Sequence, residues 1–493
     1  MDPETPAEPT TAIDRATLLG RQPPKLTIPD ALTRIRERQR RLRRRIVALD
    51  DDPTGSQSVH DVPLITRWSA ADLRWGLAEA DPLLFVLTNS RSLDEADALA
   101  VNAEVVTRAV EAAAEFEVDL QFVCRGDSTL RGHYPAETNQ VLRTLKETGA
   151  RVPDNVVLVP CFLEAGRLTV DDVQWVAQGD KLVPVAQTEF AGDTTFGFSH
   201  SNLRRWVEER SCGALVADDV VTFSLEDLRI GGPERVTKIL LATPPGRVVV
   251  VNAAASADLE SYTLGALAAE EQGRRYLYRA GPTLLRVLAG MPEREPLSAS
   301  DLYGDPSAGG SGLIVVGSYA GLTTAQLEHA QSKLGLRSFE LKVSEVLEPG
   351  RRAEEIKRVT EAVGAYLHDG HVAVFTSRES HGAGRGADPL EFSRAISETL
   401  VQTVRQIGGT HPVRFVLAKG GITSSDILTG GFDVTRARVL GQMLHGLIPV
   451  LLLPPDSRRP SIPYVIFPGN VGDATTLTRV LEKLEGSGDT GPP

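Results

Sequence analysis

Cysteine is scarce in this sequence. The chain has three cysteines, Cys124, Cys161 and Cys212, which lie far apart. An odd number of widely spaced cysteines argues against a disulfide framework, and no pair has the spacing of a zinc site. The histidines also include no pair with metal-ligand spacing. The sequence therefore predicts a protein of a reducing compartment, and it identifies no metal ligands.

Long apolar runs are also absent. The longest run, GLIPVLLLPP, has the length of a strand, whereas a membrane helix needs about 20 apolar residues. The first 30 residues are rich in Pro, Thr and acidic residues, and they lack the basic start and apolar stretch of a signal peptide. We therefore expect a disordered leader over residues 1–30 and a cytoplasmic location.

Positive charge is in deficit over the chain as a whole. The formal net charge of the 493 residues is −12, which argues against a surface built to bind nucleic acid. The exception is TRIRERQRRLRRR at residues 33–45. This segment is typical of a solvated helix before the first strand, and binding of an anion or nucleic acid is the alternative.

What is present is a regular alternation of short β-branched runs with amphipathic stretches rich in Ala, Leu and Glu. This pattern predicts an α/β fold with mostly parallel sheets. It is interrupted near residues 290–312 by a stretch of Pro, Gly, Ser and acidic residues without periodicity. We therefore predict two domains, at residues 31–290 and 311–485, with a linker at 291–310 and a polar tail at 486–493.

Three consecutive aspartates, Asp50, Asp51 and Asp52, end the first predicted strand, and Thr54 and Gly55 follow in a turn. Like charges at one point are typical of a place where a cation, a proton or a polyol is handled. The same stretch spells Asp-x-Asp-x-Thr, the opening motif of haloacid-dehalogenase-type phosphatases, in which the first Asp is the nucleophile. Acidic capping of a following helix is the structural alternative.

A second polar group lies in CRGDSTLRGHYPAE at residues 124–137, directly after another apolar run. Arg125 and Arg131 offer planar guanidinium groups that suit a carboxylate or a phosphate. Asp127 could accept a hydroxyl proton, and Ser128 adds a hydroxyl group. The density of these side chains favours recognition of a small, charged, hydroxyl-rich molecule, and a structural Arg–Asp pair is the alternative.

Two further stretches are weaker candidates. EAGRLTVDD at residues 164–172 and TEFAGDTTFGFSHSNL at 188–203 read as polar loops, in which Arg167 and Asp193 stand out. His133 and His200 are more typical of loop or capping residues than of ligands.

Three glycine-containing loops follow predicted strands in the second half, in GLIVVGSYAGLTTAQ (312–326), LAKGGITSSD (417–426) and IFPGNVGD (466–473). Glycine lets backbone amides approach a phosphate closely. None of the three is a Walker A loop or a G-x-G-x-x-G fingerprint. Any one of them could be only a tight turn, but three at strand ends in one domain indicate a phosphate-bearing ligand.

Taken together, these segments resemble the four-carbon acid sugar kinase family from about residue 45 to 485. DDPTG, DSTLRGHYPAE, AGRLTVDD, TEFAGD, GS-x-x-x-x-T-x-x-Q, KGGITSSD and PGNVGD occur in the family's order. The resemblance implies two Rossmann-like α/β domains, an N-terminal one that binds a tetronate-type sugar acid and a C-terminal one that binds ATP, with the active site in the cleft between them. It implies Mg²⁺ with the nucleotide and phosphorylation of a terminal hydroxyl.

The resemblance also implies roles for individual residues. Asp127 is the first candidate for the catalytic base and Asp52 the second, and Arg131 would hold the carboxylate of the acid. The other acid-binding residues would be Asp51, Thr54, Gly55, Arg125, Ser128, Arg167 and Asp193. The nucleotide-binding residues would be Ser318, Gly420, Gly421, Ile422, Thr423, Gly469 and Asn470. A homodimer is the default expectation for a soluble enzyme.

Two other functions remain open from the sequence. A phosphatase would use Asp50 and Asp52 and form an aspartyl-phosphate on Asp50, but this leaves the three glycine loops without a task. A metabolite-binding regulator would keep the fold and bind its ligands without turnover.

Overall fold

The computed structural model describes residues 8–79, 82–305, 309–317, 321–348, 350–377, 389–455, 457, 461–469 and 471–486. The chain divides into two compact units, Met1–Glu293 and Arg294–Pro493. The predicted division into two α/β domains is therefore confirmed. The predicted tail at 486–493 lies outside the described residues apart from Gly486.

The N-terminal unit alternates strands with helices along its length. Its strands are β1 (Ile13–Asp14), β2 (Arg44–Asp50), β3 (Val62–Ile65), β4 (Leu83–Leu87), β5 (Asp119–Arg125), β6 (Asn155–Val159), β7 (Arg167–Val170), β8 (Val173–Gln178), β9 (Lys181–Pro184), β10 (Val221–Phe223), β11 (Val248–Val251) and β12 (Tyr276–Ala280). Its helices are α1 (Arg15–Gly20), α2 (Ala31–Arg41), α3 (Ala70–Ala78), α4 (Glu95–Ala113), α5 (Ala136–Glu147), α6 (Leu203–Arg210), α7 (Leu225–Arg229), α8 (Gly232–Ala242), α9 (Ser256–Glu271) and α10 (Pro282–Leu288).

The main sheet of this unit has the order β10-β11-β6-β12-β5-β2-β4-β3, and its strand pairs are parallel. Strands of a parallel sheet are covered on both faces, which explains the continuous apolar runs of the sequence. Val47 of β2 and Val86 of β4 are fully buried and share one core cluster with Val106 of α4 and Val141 of α5.

A smaller antiparallel sheet has the order β1-β9-β8-β7. The sequence did not predict it, and β1 comes from the leader. Residues 8–30 thus differ from the predicted disordered leader. Ile13 pairs with Leu182, Leu18 is buried, and Arg229 Nη1 donates a hydrogen bond to Pro23 O at 2.7 Å. These contacts are made to distant parts of the chain, so local composition does not reveal them.

The arginine-rich segment packs within the N-terminal unit. It forms α2 and the start of β2, and Arg36 and Arg38 donate to the carbonyl oxygens of Gly290 and Leu264 at 2.9 and 3.0 Å. Arg44 is fully buried, and its guanidinium lies 3.3 Å from the carboxylate of Asp119. Much of the segment's charge is therefore used inside the fold.

The C-terminal unit is a second α/β unit. Its strands are β13 (Gly312–Val316), β14 (Arg337–Leu341), β15 (Val372–Thr376), β16 (Phe415–Lys419), β17 (Arg436–Leu444), β18 (Leu447–Leu452) and β19 (Pro463–Phe467). Its helices are α11 (Ala299–Tyr303), α12 (Gly321–Leu334), α13 (Val343–Leu347), α14 (Arg352–Tyr366), α15 (Pro389–Thr410), α16 (Gly421–Asp426) and α17 (Thr476–Glu485). The strand order is β17-β18-β19-β16-β13-β15-β14. Strand β18 is antiparallel to both of its neighbours, β17 and β19, and the pairs from β19 to β14 are parallel.

The predicted linker at residues 291–310 is shorter than expected. Leu297 is buried in the core of the C-terminal unit, and its backbone N–H donates to Gln442 O at 2.8 Å. Helix α11 follows directly. The apolar side chain of Leu297 stands alone among polar residues, so the sequence shows no periodicity there.

Within the described part of the chain, no helix is both long and apolar enough to cross a membrane.

Candidate functional site

The order of the strands creates a crevice in the N-terminal unit. After β2 the chain continues to β3 and β4 on one side, and after β4 it crosses to β5 on the other side of β2. In an open parallel sheet, ligands bind at such a switch point, beyond the carboxyl ends of the two strands. Asp50–Asp52 follow β2 and Arg125–Arg131 follow β5, so the fold brings the two predicted polar groups together.

The two groups are joined by ion pairs. Arg125 Nη1 lies 3.0 Å from Asp51 Oδ1 and 3.3 Å from Asp50 Oδ1, and all three side chains are buried. The backbone supports this contact, because the N–H of Asp51 donates to Arg125 O at 3.3 Å. Arg125 is therefore engaged by the protein itself.

Asp50 lies beneath the crevice. Its side chain is fully buried, and a Cβ added to Gly55 would lie 1.9 Å from Asp50 Oδ1, so this position requires glycine. Burial raises the pKa of Asp50 to about 8. A buried carboxyl group with a raised pKa that is covered by the turn does not suit the nucleophile of a phosphatase.

Arg91 links the acidic residues, and the sequence analysis missed it. It lies in a 3₁₀ turn, Ser90–Ser92, that follows β4. Its guanidinium forms a close ion pair with Asp52 and lies 3.7 Å from Asp127 Oδ2 and 4.0 Å from Asp51 Oδ2. These carboxylates raise the pKa of Arg91 well above its ordinary value, against the effect of burial. The sequence could have indicated Arg91 as a site residue, because it follows an apolar strand, as the two predicted polar groups do.

Asp127 is held in its ionised form. It accepts hydrogen bonds from the backbone N–H of Thr129 at 3.1 Å and from Arg131 Nε at 2.6 Å. The hydroxyl of Thr129 also donates a hydrogen bond to it. Burial opposes ionisation, but Arg91, Arg131 and these hydrogen bonds hold the pKa of Asp127 well below its usual range. Such a carboxylate is a strong hydrogen-bond acceptor and a weak proton acceptor.

Arg131 and Arg167 both stack on Phe190. The guanidinium carbons lie 5.1 and 5.7 Å from the centre of the Phe190 ring. Arg131 Nη1 also lies 3.5 Å from Asp193 Oδ2. Arg167 is the first residue of β7 rather than part of a loop. The small sheet and the segment after β9 therefore bring Arg167, Phe190 and Asp193 to the predicted site.

Arg167 differs from Arg91, Arg125 and Arg131 in its partners. No carboxylate of the described residues lies within ion-pair distance of its guanidinium, and its buried Nε has no hydrogen-bond partner there. Burial lowers the pKa of Arg167, with Asp127 acting in the opposite direction. A half-buried cation without a counter-ion is costly, so this guanidinium is a candidate to bind an anionic group.

The remaining predicted residues of the N-terminal site have structural roles at the crevice. The backbone N–H and the hydroxyl of Thr54 donate to Asp52 Oδ1, the former at 2.8 Å. Ser128 is buried, and its carbonyl oxygen accepts from Gln174 Nε2 at 2.8 Å. Arg279 of β12 was also missed; it donates to Arg131 O at 2.9 Å.

The C-terminal unit has a switch point of its own. Strand β13 is followed by strands on one side of it, β15 and β14, whereas β16 and β19 lie on its other side. The loops after β13 and β16 therefore diverge, as at nucleotide sites of open α/β sheets. Gly317, after β13, nevertheless lies against Thr423 at the start of α16. A Cβ added to Gly317 would lie 2.2 Å from Thr423 Oγ1.

Hydrogen bonds tie the third glycine loop to the other two. Thr323 Oγ1 donates to Gly469 O at 2.9 Å, and the N–H of Gly420 donates to Phe467 O at 2.8 Å. Lys419 Nζ donates to Pro468 O at 3.2 Å. Gly420 has a φ of 117°, which favours glycine, and Ile422 is exposed. Ser318 and Asn470 lie outside the described residues.

Comparison with known proteins assigns both units. A model of a sugar-binding N-terminal domain matches residues 46–288, and a model of a nucleotide-binding C-terminal domain matches residues 313–477. The chain belongs to the four-carbon acid sugar kinase family. A D-erythronate kinase from Heliobacterium modesticaldum (strain ATCC 51547 / Ice1) is 28% identical over 320 residues, which cover 64% of this chain and 66% of the relative, just under two thirds of its length.

Solved structures of low sequence identity share the fold of this kinase-family member. A Haemophilus influenzae protein of the family designated domain of unknown function 1537 has a TM-score of 0.58 at 19% identity and covers 89% of this chain and 99% of its own. A crystal structure from Salmonella typhimurium LT2 has a TM-score of 0.63 at 15% identity, with 88% of this chain and 98% of that chain covered.

Proposed function

We propose that the protein is an ATP-dependent kinase that phosphorylates a terminal hydroxyl of a four-carbon sugar acid of the threonate, erythronate or 3-oxo-tetronate type. Family membership and the kinase relative support the class of reaction. The architecture supports a division of tasks, in which the crevice after β2 and β5 binds the acid and the glycine loops of the C-terminal unit bind the nucleotide.

The observation that carries the proposal is the set of charges around the first crevice. Asp51, Asp52 and Asp127 offer carboxylate oxygens that accept hydrogen bonds from sugar hydroxyls. Arg167 offers a guanidinium without a carboxylate partner among the described residues. A molecule that carries several hydroxyls and one carboxylate satisfies both requirements, and bidentate pairing with arginine suits a carboxylate.

This assigns the carboxylate of the acid to Arg167 in preference to Arg131. Arg131 already lies 2.6 Å from Asp127 and 3.5 Å from Asp193. Arg131 then acts on Asp127 and keeps it ionised. Asp127 would accept the hydrogen bond of the reacting hydroxyl and orient it, and Asp52 remains the second candidate for this role.

A low pKa at Asp127 is compatible with phosphoryl transfer. The transition state is loose, so the reaction depends more on positioning and charge stabilisation than on a strong base. The glycine loops that end β13, β16 and β19 fit a nucleotide, because glycine lets backbone N–H groups approach phosphates. Mg²⁺ would arrive with ATP and neutralise phosphate charge.

ATP consumption by the purified protein with Mg²⁺ tests this function. The panel contains D- and L-threonate, D- and L-erythronate and 3-oxo-tetronates, and ADP release is followed. We expect turnover with one stereoisomer in clear excess over the others. If no acid causes turnover but ATP raises the Tm, the protein binds nucleotide and the proposed acceptor class is wrong.

The two alternative functions give other outcomes in the same assay. A phosphatase would release inorganic phosphate from small phosphoesters without ATP. A phosphatase of the haloacid-dehalogenase type also needs a late acidic motif, for which the sequence offers ADD at residues 217–219. Asp218 and Asp219, however, form ion pairs with Arg204 and Arg247 and precede β10, at the far edge of the sheet from β2. A regulator would show a ligand-dependent rise in Tm with acid and ATP but no turnover.

A further inference from the structure

The segment between β9 and α6, residues 185–201, brings two side chains to the proposed acid site. Phe190 stacks against Arg131 and Arg167, and Asp193 lies 3.5 Å from Arg131. The segment contains two short 3₁₀ turns, Val185–Gln187 and Glu189–Gly192, and no strand. No sheet ladder fixes it, so its position depends on how its two ends are held, together with the packing of Phe198 in a core cluster and the hydrogen bond from the N–H of Ser199 to Glu209 at 2.8 Å.

The leader holds the first end of this segment. Ile13 and Asp14 of β1 pair with Leu182 and Lys181 of β9, and the N–H of Arg15 donates to Asp180 O at 2.9 Å. Strand β1 thereby covers the edge of β9, the strand that leads into residues 185–201. An edge strand would otherwise present unpaired backbone groups.

The leader also holds the second end, through Glu8. The Glu8 carboxylate accepts hydrogen bonds from the backbone N–H groups of Ser201 and Asn202, the latter at 3.3 Å, and lies 3.5 Å from His200 Nδ1. The Glu8 side chain is 17% exposed. Asn202 caps α6 through its side chain, which accepts from the N–H of Arg204 at 3.1 Å. The Glu8 carboxylate therefore binds the backbone where residues 185–201 join helix α6.

We propose that residues 8–14 are a clasp that positions the acid-binding site, with Glu8 as its positioning residue. The clasp joins the two ends of residues 185–201, and this fixes the Phe190 ring on which Arg131 and Arg167 are stacked. A charge-assisted hydrogen bond to backbone N–H is stronger than a neutral one, so one carboxylate suffices to hold the segment's end. The effect on catalysis rests on the proposed kinase function.

Steady-state kinetics of Glu8→Ala test the clasp in the full chain. Loss of the carboxylate frees Ser201 and Asn202, so we expect KM for the acid to rise about threefold to tenfold. KM for ATP should stay within a factor of two, because the change acts on the acid site. Glu8→Gln keeps one acceptor oxygen and should recover most of the lost affinity. Glu226→Ala, which removes an exposed carboxylate on α7, is the matched control and should behave like the wild type.

Hydrogen exchange separates the clasp from the proposed function. In Glu8→Ala, amide exchange in residues 185–202 should become faster, and exchange in the C-terminal unit should not change. This readout needs no substrate, so it decides the clasp even if no acid in the panel is phosphorylated, which would contradict the kinase proposal alone. Unchanged exchange in residues 185–202 would overturn the clasp. Faster exchange with an unchanged KM for the acid, or an equal rise in both KM values, would overturn its role in positioning the site.

Discussion

At the scale of single residues, the candidate acid site is a balanced set of arginines and aspartates in which Arg167 is the exception. Arg91, Arg125 and Arg131 each lie within ion-pair distance of an aspartate of the site. Arg167 contacts aromatic rings and no described carboxylate. Arg279 also has no carboxylate partner among the described residues, but it donates to the backbone oxygen of Arg131 at 2.9 Å. Arg167 is therefore the candidate cation for an anionic ligand.

Replacement of Arg167 tests its role as the carboxylate anchor. In Arg167→Met the acid loses a charge-assisted hydrogen bond worth about 1.5–3 kcal/mol, so KM for the acid should rise roughly tenfold to a hundredfold. KM for ATP should not change. Arg143→Met, on the exposed face of α5, is the control for loss of an arginine from this unit. If Arg167→Met left KM for the acid unchanged while Arg131→Met raised it, the anchor would be Arg131.

Replacement of Asp127 tests the group that orients the reacting hydroxyl. Asp127→Asn should lower kcat about a hundredfold, because the reacting hydroxyl loses the carboxylate that orients it and misplacement of a reacting group can cost that much. Because the pKa of Asp127 is held well below its usual range, the wild-type kcat should not fall on the acid side with a pKa near 6. A kcat unaffected by Asp127→Asn would exclude this role and transfer it to Asp52.

At the scale of elements, strand ends could be predicted from the sequence and distant partners could not. The apolar runs of β2 and β5 end in Asp50–Asp52 and Arg125, and parallel strands bring such ends to one edge. The small sheet was missed because β7, β8 and β9 are short and β1 comes from a polar leader. The stretch ALVADD at residues 214–219 reads as a strand in the sequence, but Ala217–Asp219 form a 3₁₀ turn and β10 follows at Val221–Phe223.

The junction between α7 and α9 depends on one buried ion pair. Arg229 Nε and Nη2 lie 2.7 and 2.9 Å from the two carboxylate oxygens of Asp258, and the Asp258 carboxylate also accepts from the N–H groups of Ala254 and Ala255. Arg229→Ala leaves a buried carboxylate without its cation and should lower the free energy of unfolding by about 3–5 kcal/mol. Arg74→Ala breaks the exposed Arg74–Glu115 pair and should cause only a small loss. Equal losses in chemical denaturation would contradict the assignment.

The junction between β13 and α17 contains a half-buried histidine, His371, and its stability should depend on pH. Gly312 N–H donates to His371 Nδ1 at 2.9 Å, so this nitrogen must be unprotonated, and Nε2 lies 3.0 Å from Glu485 Oε1. Burial lowers the pKa of His371 from its usual 6.5, and Arg414 acts in the same direction against Glu485. The unfolded chain therefore binds a proton more readily than the folded chain.

His371 should accordingly stabilise the fold above pH 6.5, and this contribution should disappear as the pH falls through its lowered pKa. The slope is at most about 1.4 kcal/mol per pH unit for one proton. Urea unfolding of the wild type and of His371→Gln at pH 7 and pH 5 measures it. The wild type should lose more stability than the variant, and equal losses would show that another group is responsible.

At the scale of the whole molecule, two α/β units each carry a switch point, and each unit matches one domain model of the family. The sequence motifs indicated both units and most of the side chains at their strand ends. The roles of Arg91 and Phe190 could not be predicted from the sequence because they depend on contacts with distant residues. Arg91 lies within ion-pair distance of three aspartates, and the Phe190 ring stacks against two arginines. Contacts of this kind depend on the three-dimensional course of the chain rather than on local pattern.

The stoichiometry of the products tests the central claim most directly. The purified protein is incubated with ATP, Mg²⁺ and the preferred acid, and ADP, inorganic phosphate and phosphorylated acid are measured together by ³¹P NMR. We expect one phosphorylated acid for each ADP, with the phosphate ester on the terminal carbon and little free phosphate. ADP with an equal amount of inorganic phosphate and no phosphorylated acid would contradict it.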